Sequence, residues 1–77
     1  MKNVKVYGPG CQKCHLTEER VRKVVKEGSL DANVEKVSDF AEMAAAGVLS
    51  TPAVSVDGVV KMAGRVPTED EIRAWLG

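Results

Sequence analysis

The chain has 77 residues, of which 44% are hydrophobic, and its 11 basic and 11 acidic residues give zero formal net charge. A chain of this length has room for one small domain, which buries roughly 60% of the surface that its unfolded form exposes. The balanced charge gives no electrostatic reason to expect nucleic acid as a partner, and the longest apolar stretch, residues 43–49, is too short to cross a bilayer. We therefore expect a single domain over residues 1–77, monomeric and cytoplasmic, with no nucleic-acid or membrane partner.

The first half of the chain predicts a strand, a helix and a second strand. Apolar and polar residues alternate over residues 4–7, and the run Gly8-Pro9-Gly10 must then turn. A helix follows from about Cys11 to Gly28, and a second strand covers residues 33–37.

The second half predicts a short helix, a hairpin and a closing helix. Ser38-Asp39 is a good N-cap for a helix that carries Phe40, Met43 and Ala44 and ends at Gly47. Asp57-Gly58 between apolar runs at residues 53–56 and 59–63 is a strong hairpin signal.

The closing helix is predicted from its start signal. Thr68 and Glu71 have the spacing of a capping box, and the buried side should carry Ile72, Trp75 and Leu76, with Trp75 as a packing residue. The complete order is βαβαββα.

The pair Cys11-Gln12-Lys13-Cys14 at the start of the first helix is the feature that points most clearly to chemistry. A cysteine at a helix N-terminus lies among unpaired backbone N–H groups that favour a thiolate. Helical spacing puts Cys14 on one face with a stripe of further residues, namely Thr17, Val21, Val24 and Val25. That stripe should face the core, so we expect Cys11 to be the exposed nucleophile and Cys14 the shielded resolving cysteine.

These features together resemble thioredoxin-like proteins, over nearly the whole chain. The segment Tyr7-Gly8-Pro9-Gly10-Cys11-Gln12-Lys13-Cys14 is most similar to the small, glutaredoxin-sized prokaryotic thioredoxins known as redox-active disulfide proteins. The resemblance implies an α/β thioredoxin-like fold, with a four-stranded mixed sheet flanked by three helices. It also implies a thiol-disulfide oxidoreductase, a reductant of protein disulfides that needs no cofactor and is recharged by a thioredoxin-reductase-like or other thiol reductant.

The resemblance also suggests which residues meet the substrate. The catalytic pair is Cys11 and Cys14. Pro52 corresponds to the family's cis-proline, and the Thr51 backbone before it would pair with an extended substrate segment. The complete set of expected substrate-binding residues is Thr51, Pro52, Gly10, Gln12 and Gly64. Leu16, on the face opposite the valine stripe, could add an apolar docking surface together with Tyr7 and Pro52.

Three departures from better-known relatives are visible in the sequence. Gly10 stands where thioredoxins usually have tryptophan, and only Gly64 matches the pattern with which glutaredoxins hold glutathione. No carboxylate stands out as the buried proton acceptor beneath the resolving cysteine, because all three candidates look exposed or capping, namely Asp31, Glu35 and Asp39.

Two other functions share parts of this pattern. Residues Cys11 to His15 match the pattern Cys-x-x-Cys-His, the attachment signature of c-type haem. Met43 or Met62 could then serve as an axial ligand of the haem iron. Small copper chaperones also place Cys-x-x-Cys between a first strand and a first helix, where two thiolates suit Cu(I). Their element order is βαββαβ, which differs from the order predicted here.

Overall fold

The computed structural model of the protein describes residues 2–10 and 12–76. Within those ranges the chain forms four strands and three helices in the predicted order βαβαββα. The elements are β1 (Lys2–Tyr7), α1 (Gln12–Glu27), β2 (Ala32–Val37), α2 (Phe40–Ala45), β3 (Ala53–Val56), β4 (Val59–Ala63) and α3 (Glu69–Leu76). β1 begins two residues earlier than the alternation predicted, because Lys2 continues the ladder by pairing with Ala32.

The strands of the described residues form one mixed sheet in the order β2-β1-β3-β4. β1 is parallel to β2 and antiparallel to β3, and β3 is antiparallel to β4. This is the α/β thioredoxin-like fold that the resemblance implied.

The alternating side chains of β1 divide the core between the two faces of the sheet. Val4 and Val6 belong to a cluster on the side of α1 and α3, where the buried partners are Val21, Val24, Val54, Val56, Ile72 and Leu76. Tyr7 belongs to a second, smaller cluster on the side of α2. The other buried members of this cluster are Val37, Met43, Val48 and Ala53. Phe40 of α2 is 71% exposed and takes no part in either cluster.

Local sequence signals cap α2 at both ends, as the sequence predicted. The Asp39 carboxylate accepts a hydrogen bond of 2.8 Å from Ala41 N and so caps α2. At the other end Val48 N donates to Met43 O, and Gly47 N donates to Ala44 O, the bond pair of a Schellman motif.

The β3–β4 hairpin turns at Asp57 and Gly58, both with positive φ, at 51° and 85°. This is the signature of a type I′ turn, for which glycine is favoured at the second position. The confirmed hairpin places the turn beside Asn3, whose N–H donates to Asp57 Oδ1 over 2.8 Å.

The predicted capping box of α3 is confirmed. Glu71 N donates to Thr68 Oγ1 over 3.2 Å, and Thr68 N donates to Glu71 Oε1 over 3.0 Å. The last carbonyls of α3, at Trp75 and Leu76, accept hydrogen bonds from Lys2 Nζ. In the part of the chain that the structure describes, no helix is long and apolar enough to span a bilayer.

Candidate active site

The sheet register brings three distant segments to the end of β1. The last residue of β1, Tyr7, pairs with the first residue of β3, Ala53, and Ala53 pairs in turn with Ala63 at the end of β4. Pro52 therefore enters the sheet beside the turn that leads to the cysteine pair. Gly64 follows β4 at the same edge, where its N–H donates to Pro52 O over 2.9 Å.

Cys14 lies in the first turn of α1 and is buried, with 1% of its surface exposed. It shares the inner face of the helix with Thr17, Val21 and Val24, which are also buried. The predicted shielding of Cys14 is thus confirmed. Cys11 lies outside the described residues, so its exposure and its role as nucleophile stay predictions.

Gly8 contacts Cys14 more closely than any residue with a side chain could. A Cβ atom placed on Gly8 would lie 2.6 Å from Cys14 Cβ and would overlap Cys14 Sγ. The sequence pattern places Gly8 only within a turn and gives no direct sign of this contact. The available signal was the position of Gly8, which directly follows the strand and begins the turn that leads to the cysteines. The backbone of Gly8 and the sulfur of Cys14 come close there, which glycine permits.

The structure places Thr51 and Pro52 side by side with a cis peptide bond between them. Thr51 is half-buried and Pro52 is buried. Tyr7 is also buried, at 5% exposure, because its ring packs in the cluster under α2 and its hydroxyl accepts a hydrogen bond from Ser55 Oγ. The expected apolar docking surface of Leu16 with Tyr7 and Pro52 is therefore wrong in two of its three members.

Leu16 itself remains available on the outer face of α1, with 42% of its surface exposed. It lies in a shallow depression of about 460 Å³ whose lining residues are Gln12, Lys13, His15, Leu16 and Glu19. This surface includes Lys13 and His15, the two residues on either side of Cys14 in the chain.

Comparison with known proteins agrees with the fold. The model of the protein family described as "Thioredoxin domain" matches residues 2–77 of the chain. The chain is 37% identical over 76 residues to a thioredoxin of Methanothermobacter thermautotrophicus, covering 99% of both chains. It is 40% identical over 73 residues to a thioredoxin of Methanocaldococcus jannaschii, covering 95% of this chain and 84% of the relative.

The chain belongs to the thioredoxin family. It is accordingly a thiol-disulfide oxidoreductase of the thioredoxin type. The observed element order also differs from the βαββαβ order of the copper chaperones that share the cysteine spacing.

Two features of the site concern the departures noted in the sequence. Gly10, where a tryptophan is usual, is exposed and has a φ of 96°, a conformation that favours glycine. Among the residues that the structure describes, a Cβ on Gly10 would meet nothing within 4 Å.

The other feature concerns proton transfer at the resolving cysteine. Among the described residues, which include every aspartate and glutamate of the chain, no carboxylate is buried. Asp31 and Glu35 are exposed, and Asp39 caps α2, as the sequence indicated. The buried polar side chain nearest in sequence to Cys14 is Thr17, whose hydroxyl donates to Lys13 O over 2.8 Å.

Proposed function

We propose that this thioredoxin reduces disulfide bonds in other proteins through Cys11 and Cys14, with Cys11 as the nucleophile and Cys14 as the resolving cysteine. The observation that carries the proposal is the burial of Cys14 in the first turn of α1. A shielded sulfur cannot meet a bulky protein disulfide first, so the other cysteine of the pair must do so.

The reaction has two exchange steps. The Cys11 thiolate attacks one sulfur of the substrate disulfide, and the other substrate sulfur leaves as a thiolate that takes up a proton. The Cys14 thiolate then attacks Cys11 Sγ, the mixed disulfide breaks, and the second substrate sulfur leaves. Two electrons pass from the dithiol to the substrate, and the protein is left with a Cys11–Cys14 disulfide.

The substrate-binding part of the proposal involves the loop before β3. An extended substrate segment would pair with the backbone of Thr51, in the manner of an added strand. Pro52 is buried, and Gly64 N donates a hydrogen bond to Pro52 O, so the backbone next to Thr51 is held in place. Gly10 and Gln12 would border the segment on the side of the cysteine pair, where both are exposed.

We propose a setting for the reaction as well, namely the compartment and the source of reducing equivalents. The protein acts as a single monomeric domain in the cytoplasm, where a thiol reductant of the thioredoxin-reductase kind returns the disulfide to the dithiol. No cofactor takes part in either exchange step. The direction of exchange depends on the reduction potential of the pair relative to that of the surrounding thiol pool.

Single cysteine variants test the two roles. With insulin as the disulfide substrate, C14S should accumulate a mixed disulfide, because nothing displaces the substrate from Cys11. C11S should form no such adduct at a comparable rate, because Cys14 is shielded. Non-reducing electrophoresis and intact mass measure the adduct, and C11S/C14S sets the background. Equal trapping by the two single variants would contradict the role assignment.

A further inference from the structure

Gly8 and Cys14 are in a contact that leaves no space for any side chain at position 8. A Cβ there would lie 2.6 Å from Cys14 Cβ, whereas real Cβ atoms essentially never approach closer than 3.0 Å. A change of the Cys14 rotamer would move Sγ but not Cβ. Relief therefore requires movement of the backbone on one side of the contact.

The backbone of Gly8 is held by the sheet. Its N–H donates to Val37 O over 2.9 Å, and Tyr7 immediately before it pairs with both Val37 and Ala53. Moving Gly8 away from Cys14 would disturb the central strand.

The body of α1 is held as firmly as the backbone of Gly8. Val21 and Val24 are 0% and 2% exposed, and the Arg20 guanidinium donates to Pro67 O over 2.9 Å. The first turn of α1 carries Cys14 itself, and its other two residues, Gln12 and Lys13, are exposed, so we expect this turn to move before the strand or the helix body does. A side chain at position 8 would displace the resolving sulfur relative to Cys11.

We propose that Gly8 is a positioning residue for the resolving step: its missing side chain lets Cys14 lie where it can attack Cys11 Sγ and close the disulfide. This inference rests on the proposed roles of the two cysteines. The S–S bond holds the two Cβ atoms within ~3.5–4.5 Å of each other, while the dithiol leaves the turn room to relax. A side chain at position 8 therefore penalises the disulfide more than the dithiol.

The test is G8A. A displacement of about 1 Å in a reacting group can cost on the order of 100-fold in rate, so we expect the mixed disulfide with insulin to be resolved at least ~10-fold more slowly. We also expect the disulfide–dithiol equilibrium with glutathione to shift ~10-fold toward the dithiol, which corresponds to about +30 mV in reduction potential.

The matched control is G58A in the hairpin. Among the described residues, a Cβ on Gly58 meets nothing within 4 Å, while its φ of 85° makes alanine strained. G58A should lower the thermal midpoint of unfolding without changing the lifetime of the mixed disulfide or the potential. If G8A lowers only the thermal midpoint, as G58A does, Gly8 serves packing alone and the inference is overturned.

The unmodified protein provides a second test, which also applies if G8A does not fold. Nuclear Overhauser contacts between the Gly8 Hα and Cys14 Hβ protons are expected in both the oxidised and the reduced form. Their absence from either form would overturn the inference. A wild-type protein without a reversible dithiol transition would instead overturn the proposed function, so the two failures are distinguishable.

Discussion

Two side chains of α1, two positions apart, lie on opposite sides of the active-site helix. Cys14 faces inward and is buried, whereas Leu16 is 42% exposed in the depression on the outer face. An apolar side chain exposed on the outer face of α1 can bury its surface against a protein partner, which stabilises the complex by roughly 25 cal/mol per Å² of apolar area removed from water. A small disulfide would cover little of it.

The variant L16S should therefore discriminate between substrates of different size. We expect the KM for insulin to rise about 3- to 10-fold, in line with ~1 kcal/mol of lost apolar burial. The rate with oxidised glutathione should stay within about twofold. Steady-state turnover with each substrate measures both values.

V59S is the matched control for L16S. Val59 is 57% exposed, but it adjoins the hairpin turn at the opposite end of the sheet from the cysteine pair. It should leave both substrates unaffected. A parallel slowing of insulin and glutathione by L16S would show that Leu16 acts on the cysteines and not on docking.

For single residues, the sequence predicted which side chains lie on the buried inner face of α1 but not every neighbour of the site. The burial of Cys14 follows from helical spacing alone. Tyr7 shares a strand face with the exposed Lys5, and only the Tyr7 end of that face is covered, by Met43 of α2 and by Val48 of the loop that follows it. The alternation of β1 could not reveal such partial coverage, just as it could not reveal the contact between Gly8 and Cys14.

Among the elements, α3 depends most visibly on charge at its start. Glu71 accepts hydrogen bonds from Arg65 and from Thr68 N, which lower its pKa to about 2 from an ordinary value of 4.5. The pKa of Glu69 is also lowered, chiefly by its hydrogen bond from Lys23 of α1. Both carboxylates stabilise the fold when ionised.

These shifts predict how stability depends on pH. A carboxylate whose pKa is lower in the folded state contributes stability that is complete above its unfolded-state pKa and is lost as the pH falls through the folded-state value. For Glu71 that interval runs from about pH 4.5 down to about pH 2. E71Q should be less stable than wild type at pH 7 and should lose less stability over this interval. Urea unfolding at several pH values measures both effects.

E27Q provides the control for the loss of one negative charge. Glu27 is exposed at the end of α1 and takes no part in the capping box, so E27Q reports what the removal of one negative charge does by itself. An E71Q profile parallel to that of the wild type would contradict the role of Glu71 in the capping box.

Element boundaries were predictable where the signal is local. The Asp39 cap, the turn at residues 57–58 and the capping box of α3 are each complete within four neighbouring residues, and all three were predicted. The first two residues of β1 were not, since Lys2 joins the strand through Ala32, thirty positions away. The irregularity in the β3–β4 pairing at Val54 and Ser55 likewise depends on the partner strand.

For the whole molecule, the register of one sheet assembles the site. Gly8, Pro52 and Gly64 come from three parts of the chain and meet at one edge because Ala53 pairs with both Tyr7 and Ala63. The sequence predicted the identity of these strands, and the family resemblance predicted the importance of Thr51 and Pro52. The register itself depends on side-chain packing across the sheet, which no local pattern contains.

A redox titration of the purified protein, without added metal, in glutathione buffers tests the proposed dithiol function most directly. Free thiols are counted while the visible spectrum is recorded. If the two cysteines exchange disulfides, Cys11 and Cys14 lose their thiols together in one reversible two-electron transition, with no visible band. A Soret band, or a tightly held metal that blocks both thiols, would contradict it in favour of the haem or copper functions.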